Sequence, residues 1–302
     1  MSDIWSREYW ARKGDVKLFM YRKRKDAPSA ESARLPILFL VHGSSFSGPT
    51  SFDLTVDGGN EYSTMDTFAE LGFDVWTLDH EGYGRSDRTD GWSDISSGVE
   101  DLKAGMGVIE YETGQTKASF YGQSSGALRA AAFAEVEPSR VERLVLDAFV
   151  WTGEGSPTLA KRSEGLDSFR ASNTRPVDAE FYRSILTRDG PGMADPAIGD
   201  LIAEQELKYG ETVPTGTYLD MCANLPVCDP EKIDCPVLLM RGENDGIATE
   251  EDCLNFFVKL PNKDKQFIIL TGQAHVGTFG FNKGRFNHVL KAFLTMPKRM
   301  DR

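Results

Sequence analysis

Ala118-Ser-Phe-Tyr-Gly-Gln-Ser-Ser-Gly-Ala-Leu-Arg129 reads as a short apolar strand, then the tight segment Gly122-Gln-Ser-Ser-Gly126, then the opening of an Ala-rich helix. A strand-to-helix turn this sharp lifts one serine clear of the chain only where its neighbours lack bulky side chains. Glycines at 122 and 126 meet that need. Ser124 is therefore the candidate nucleophile. A Gly-x-Ser-x-Gly pattern recurs by chance, so its weight comes from the flanking strand and helix and from partners elsewhere in the chain.

Working outward, residues 16–22 alternate like a strand, and Leu35-Pro-Ile-Leu-Phe-Leu-Val41 is a continuous apolar run, as a strand buried on both faces requires. Helical spacing over residues 66–71, 95–111 and 126–136 then alternates with apolar runs at 73–78, 118–121 and 141–146. Such alternation implies βαβ units and a mostly parallel sheet covered by helices. From 151 to 225 the strand rhythm stops, leaving polar loops with helical pieces at 178–186 and 198–209. It resumes with a strand at 236–240, a helix at 250–260, a strand at 266–270 and a last helix at 285–294. We read one core, residues 1–150 and 226–302, with 151–225 inserted as a cap.

Hydrophobic residues at 40% and charged residues at 26% exclude disordered and fibrous classes. A formal net charge of -12 argues against nucleic acid, whose phosphates need clustered Lys and Arg. The one basic cluster, Arg22-Lys-Arg-Lys25, reads as a solvated hairpin edge. Arg129 and Arg143 read as members of surface ion pairs. The first residues lack the apolar core of a signal peptide, and no run approaches the roughly 18 apolar residues of a membrane span. A cytoplasmic protein, monomer or homodimer, is expected. Cys222, Cys228, Cys235 and Cys253 show neither a C-x-x-C pair nor metal-ligand spacing, so buried free thiols are expected. With no Rossmann glycine pattern or P-loop either, neither a metal nor a cofactor is implied.

A serine hydroxyl needs a base within hydrogen-bond reach, and that base needs an orienting carboxylate. Of the four histidines, His275 follows the last apolar strand in Thr271-Gly-Gln-Ala-His-Val-Gly277, where a loop at the carboxyl edge of the sheet could bring it over Ser124. His288 lies in a helical pattern, and His42 and His80 sit in earlier loops. Asp245, in Arg241-Gly-Glu-Asn-Asp-Gly246, follows the preceding strand and is the candidate acid. Asp147 at the end of another strand is its rival, and Glu243 a weaker third. The order Ser124, Asp245, His275 is the one expected around such a strand-turn-helix serine. Two backbone donors for an oxyanion would be the N–H of Ser125, at the helix start, and that of Ser44, after His42-Gly43.

With Asp79-His-Glu-Gly-Tyr-Gly-Arg-Ser86, these segments resemble the α/β-hydrolase superfamily, whose members often carry an Asp-x-x-Gly-x-Gly-x-Ser loop at this place. The resemblance runs in order from about residue 16 to 294 and implies the α/β-hydrolase fold, with 151–225 as its variable cap. It assigns residues 79–86 to a structural loop at the active-site rim and gives His80 no catalytic part. Serine at 124 departs from the aspartate of haloalkane dehalogenases and epoxide hydrolases and from the cysteine of dienelactone hydrolases. Gly-Gln-Ser-Ser-Gly also departs from the Gly-Gly-Ser-Trp-Gly of proline iminopeptidases.

Serine esterases, monoacylglycerol lipases, lactonases and carbon-carbon bond hydrolases remain. The leading expectation is a small-molecule ester or lactone, bulky and apolar, cleaved through an acyl-enzyme. Cleavage of an amide or carbon-carbon bond, or a ligand receptor of the same fold with little turnover, stand beside it. Trp151, directly after a sheet strand, is the best pocket-wall residue of the cap, with Gln123 and Ser45 as further substrate contacts. Phe169, Phe181, Tyr182, Tyr209, Tyr218, Met193 and Met221 would share between that wall and the cap's own core.

Overall fold

The apolar run ending at Val41 forms a strand, Ile37–Val41, in which every residue is buried. Parallel neighbours flank it on both sides, which is why no alternation shows in its sequence. The computed structural model describes residues 4–29, 31, 34–56 and 59–298; the first three residues and parts of the polar loop after Lys25 lie outside the described residues. Its main sheet comprises β1 (Trp5–Lys13), β2 (Val16–Arg24), β3 (Ile37–Val41), β4 (Asp74–Leu78), β5 (Ala118–Gln123), β6 (Val141–Asp147), β7 (Val237–Gly242) and β8 (Lys265–Leu270). The spatial order is β1-β2-β4-β3-β5-β6-β7-β8. β1 and β2 form an antiparallel hairpin that joins β4 antiparallel, and the strands from β4 to β8 run parallel.

Helices cover both faces. Ile95–Thr113, Ser125–Val136 and Glu250–Lys259 bury Leu102, Met106, Phe133 and Phe256 against one face. Thr64–Glu70 and Lys283–Leu294 bury Phe68, Phe286, Leu290 and Phe293 against the other. Between β6 and β7 the chain forms five helices, Pro157–Ser163, Leu166–Ala171, Ala179–Thr187, Pro196–Glu206 and Gly216–Ala223, and a two-stranded ribbon of Thr174–Pro176 with Thr212–Pro214. Tyr182, Ile185, Ile198 and Ile202 of this segment pack with Phe46, Tyr83, Val276 and Phe279, from the loops that follow β3, β4 and β8. The inserted residues therefore lie over the carboxyl ends of the parallel strands, where α/β sheets hold their ligands.

Three sequence expectations need correction. β2 is not the sheet edge, because β1, with Tyr9 and Ala11 buried, pairs along its outer side. Arg22 is consequently buried and donates from Nε and Nη2 to the two carboxylate oxygens of Asp74 at 2.8 and 2.5 Å. Lys23 bridges Asp53 and Asp66, each at 2.7 Å. Arg129 is also buried, and its Nη2 donates to the Ser93 carbonyl at 2.9 Å. Arg143, buried at the start of β6, donates to the Met296 carbonyl at 2.6 Å. The sequence shows the charges but not the strands that will cover them. All four cysteines are free thiols, Cys228 and Cys253 buried as expected but Cys222 and Cys235 only half-buried, and among the described residues no helix is long and apolar enough to cross a membrane.

Arg22 yields the first prediction. Arg22→Met should destabilise the protein by about 3–5 kcal/mol, because it takes both guanidinium hydrogen bonds from the buried Asp74 carboxylate and leaves it only Arg24 Nη1, 3.6 Å away. Guanidinium-chloride unfolding measures the loss. Adding Asp74→Leu should recover most of it, and a single variant as stable as wild type would contradict this account.

Candidate active site

β5 delivers the chain to Ser124, whose backbone lies at φ 56 and ψ -124, in the left-handed region that a non-glycine residue seldom occupies. Helix Ser125–Val136 begins at the next residue. The turn closes because its glycines let backbones touch. A Cβ on Gly122 would collide with the Gly126 carbonyl oxygen, and one on Gly126 with the Val41 carbonyl oxygen. The Ser124 N–H is tied to the Asp147 carbonyl at 2.9 Å, which locks the strained residue to the end of β6.

His275, in the loop after β8, lies with Nε2 2.9 Å from Ser124 Oγ and Nδ1 2.9 Å from Asp245 Oδ1. Asp245 comes from the loop after β7, and its Oδ1 also accepts the Ile247 and Ala248 N–H groups at 2.8 and 3.0 Å. Burial alone would raise this carboxyl, but the charge and hydrogen bond of His275 and the two backbone donors hold it below the usual carboxylate range. The His275 N–H donates to Asp189 Oδ2 at 3.1 Å, so the inserted segment also positions the histidine loop.

Asp147, the rival acid, is engaged elsewhere: Tyr121 donates its hydroxyl proton to Asp147 Oδ2 at 2.7 Å. Burial pushes Asp147 up to about 7, against the Tyr121 bond and helped by the nearby Asp245 charge. Glu243 Oε2 accepts the Gly272 N–H at 2.8 Å. His80 is buried with Nδ1 3.0 Å from Asp101 Oδ2, and its N–H donates to His42 Nε2 at 3.0 Å. Burial keeps both of these rings well below the ordinary histidine range. His288 is exposed on its helix.

The Ser44 loop is held from three sides. Its carbonyl accepts Tyr83 Oη at 3.1 Å and Arg175 Nη2 at 2.6 Å. Its hydroxyl donates to Ser125 Oγ at 2.7 Å and accepts from Thr217 Oγ1 at 2.9 Å. Ser44 and Ser125 are thereby brought side by side next to Ser124. The Ser125 N–H opens its helix and so has no intrahelical acceptor. Asp79 supports the loop from behind, accepting the Gly48 and Arg85 N–H groups at 2.8 and 2.9 Å.

A narrow cleft opens over these residues, lined by Gly43, Ser44, Ser45, Phe46, Gln123, Ser124, Arg162, Ile185, Arg188, Tyr218, Met221, Ile247, His275 and Val276. Of the sequence candidates it includes Ser44, Ser45, Gln123, Ser124, His275, Tyr218 and Met221. Trp151 is not among them: its N–H groups bond Asp252 Oδ2 at 2.7 Å and the Cys228 carbonyl at 3.3 Å, and its ring packs edge-on to Phe256. The indole is used to join the end of β6 to helix Glu250–Lys259. Phe46, Arg162, Ile185, Arg188, Ile247 and Val276 escaped the sequence reading, because no local periodicity marks a residue that reaches the site only through packing. Among the described residues no group of acidic, His and Cys side chains is arranged to hold a metal ion.

The profile of the serine aminopeptidase family S33 matches residues 56–279, well over half of the chain. The chain belongs to this family. The family is one of α/β-hydrolases, and the fold described above is theirs. No curated protein sequence gives a match. Among solved structures, the enol-lactonase from Burkholderia xenovorans LB400 is similar, with 16% identity over 95% of this chain and 100% of that one and a TM-score of 0.66. A thermophilic esterase from Thermogutta terrifontis has 17% identity over 95% and 98%, with a TM-score of 0.67. The 2-hydroxy-6-oxo-6-phenylhexa-2,4-dienoate hydrolase from Rhodococcus sp. strain RHA1 has 15% identity over 97% and 100%, with a TM-score of 0.68. At these identities the likeness is one of fold.

Proposed function

We propose that this S33-family chain is a serine hydrolase that cleaves a carboxylic ester or lactone through an acyl-enzyme. The observation that carries the reading is the line Ser124 Oγ, His275 Nε2, His275 Nδ1, Asp245 Oδ1, with 2.9 Å at each hydrogen bond and the serine opening into the cleft. Ser124 attacks the carbonyl as His275 takes its proton. The Ser44 and Ser125 N–H groups receive the oxyanion, and Asp245 orients and stabilises the imidazolium. His275 returns the proton to the leaving alcohol, then activates the water that frees the enzyme. Residues 151–225 act as a cap, supplying Arg162, Ile185, Arg188, Tyr218 and Met221 to the cleft.

The aminopeptidase in the family's name is a less favoured reading. An aminopeptidase must hold the ammonium group of its substrate, and none of the described lining residues is acidic. A small fluorophosphonate tests the proposal by intact mass. Wild type should gain one adduct, Ser124→Ala none, and His275→Ala should react far more slowly. Folded wild type that takes up no reagent would remove the proposal and favour a ligand receptor.

A further inference from the structure

Three arginines converge beside the nucleophile in a protein whose formal net charge is -12. Arg162 and Arg188 line the cleft with Ser124 and His275. The guanidinium carbons of Arg162 and Arg175 stand 3.8 and 3.9 Å from the centre of the Tyr218 ring. Among the described residues, the only carboxylate within ion-pair distance of any of the three is Asp189, 3.7 Å from Arg188 Nε. Its other oxygen is already taken by the His275 N–H.

Arg175 Nη2 serves the Ser44 carbonyl at 2.6 Å, but other donors of the group are idle. Arg162 Nη1 and Arg175 Nε and Nη1 are buried and bonded to nothing among the described residues. Arg162 is pushed down by burial and by the charges of Arg188 and Arg175, which outweigh the favourable pull of Tyr218. Although burial raises the Tyr218 hydroxyl, the same three cations bring it down to about 8. Stacking on an aromatic ring offsets part of the cost of burying a guanidinium, but leaves its N–H groups without acceptors. A carboxylate in the cleft would supply such acceptors.

We propose that the cleft takes a substrate bearing a carboxylate, seated on Arg162 and Arg188, with its ester carbonyl at Ser124. This rests on the hydrolase reading above and narrows it to half-esters of dicarboxylic acids or lactones that carry a free carboxylate. A planar carboxylate accepts the paired N–H bonds of a guanidinium fork. Ile185, Met221, Ile247 and Val276 line the remaining wall and suit the carbon chain between the two functions.

The test compares mono-p-nitrophenyl glutarate with p-nitrophenyl valerate, esters of similar length that differ in charge. Wild type should favour the glutarate by roughly tenfold or more in kcat/KM at low salt, and the preference should shrink as salt rises. Arg162→Met and, at the more exposed position, Arg188→Met should each lower the ratio by roughly tenfold, chiefly through KM, and Arg162→Lys should recover part of it. A wild-type ratio at or below one, or variants that slow both esters by the same factor, would overturn the proposal and reduce the arginines to packing around Tyr218.

Calorimetric titration of glutarate itself separates this proposal from the one beneath it. Binding by wild type that is lost in Arg162→Met supports the anion site even where Ser124 takes no fluorophosphonate. An adduct on Ser124 without glutarate binding, and with an ester ratio of one, leaves the hydrolase and removes the anion site.

Discussion

Replacing Ser124 by alanine is expected to lower ester turnover by about four to six orders of magnitude, with the fold and thermal stability retained. The hydroxyl is the atom on which the acyl group would rest, and no neighbour can replace it. Ser125 Oγ, next in the chain, accepts the Ser44 hydroxyl at 2.7 Å and is buried at the helix start, outside the cleft lining. Rate above water should persist from the Ser44 and Ser125 N–H groups and from binding. Single-turnover kinetics on an activated ester measures the drop. A variant within tenfold of wild type would mean that another group attacks.

The second large effect distinguishes two buried aspartates, one of which feels the charge of the other. Asp245→Asn is expected to lower kcat by about 10³ to 10⁴, because an amide in place of the carboxylate can hold the wrong tautomer of His275 and cannot stabilise its cation. Asp147→Asn should stay within a few-fold of wild-type turnover, since Asp147 is bonded to Tyr121 rather than to His275.

Stability separates the pair further, with opposite signs. Asp147 titrates at about 7 in the folded chain, against about 3.9 unfolded. Between those values the native state holds the extra proton, so this residue makes the protein less stable as pH rises from 4 to 7. Asp147→Asn should therefore raise stability at pH 8 by on the order of 1–3 kcal/mol and gain little at pH 4. Asp245 is held below its ordinary value, so its contribution is complete at neutral pH and is lost as pH falls through its folded value. Melting temperatures of the two variants at pH 4 and pH 8 decide the matter. An Asp147→Asn protein no more stable than wild type at pH 8 would refute the buried-carboxyl account.

The strand-to-helix turn at Ser124 was legible because its chemistry is local. A strand, a turn that only small residues close, and a helix stand in twelve consecutive residues, and the apolar runs on either side give the parallel sheet by their lengths and spacing alone. Once strands are known to run parallel, their following loops must gather at one edge, so Ser124, Asp245 and His275 could be named together from their places after β5, β7 and β8. Residues 151–225 carry no such rhythm. Two of their five helices were foreseen, and the residues they bring to the cleft were largely not.

What the sequence determined by itself was thus the fold, the strained serine and the order in which its two partners follow it, because covalent neighbours and hydrophobic period fix these. Tertiary structure alone decided which charges are buried and which residues meet. It placed Arg22 on Asp74 because β1 covers β2, and turned Trp151 onto Asp252 and Phe256 rather than into the cleft. It also gathered Arg162, Arg175 and Arg188 around Tyr218 from separate parts of the inserted segment. Such contacts depend on distances between segments far apart in the chain, and these are set only when packing closes the core.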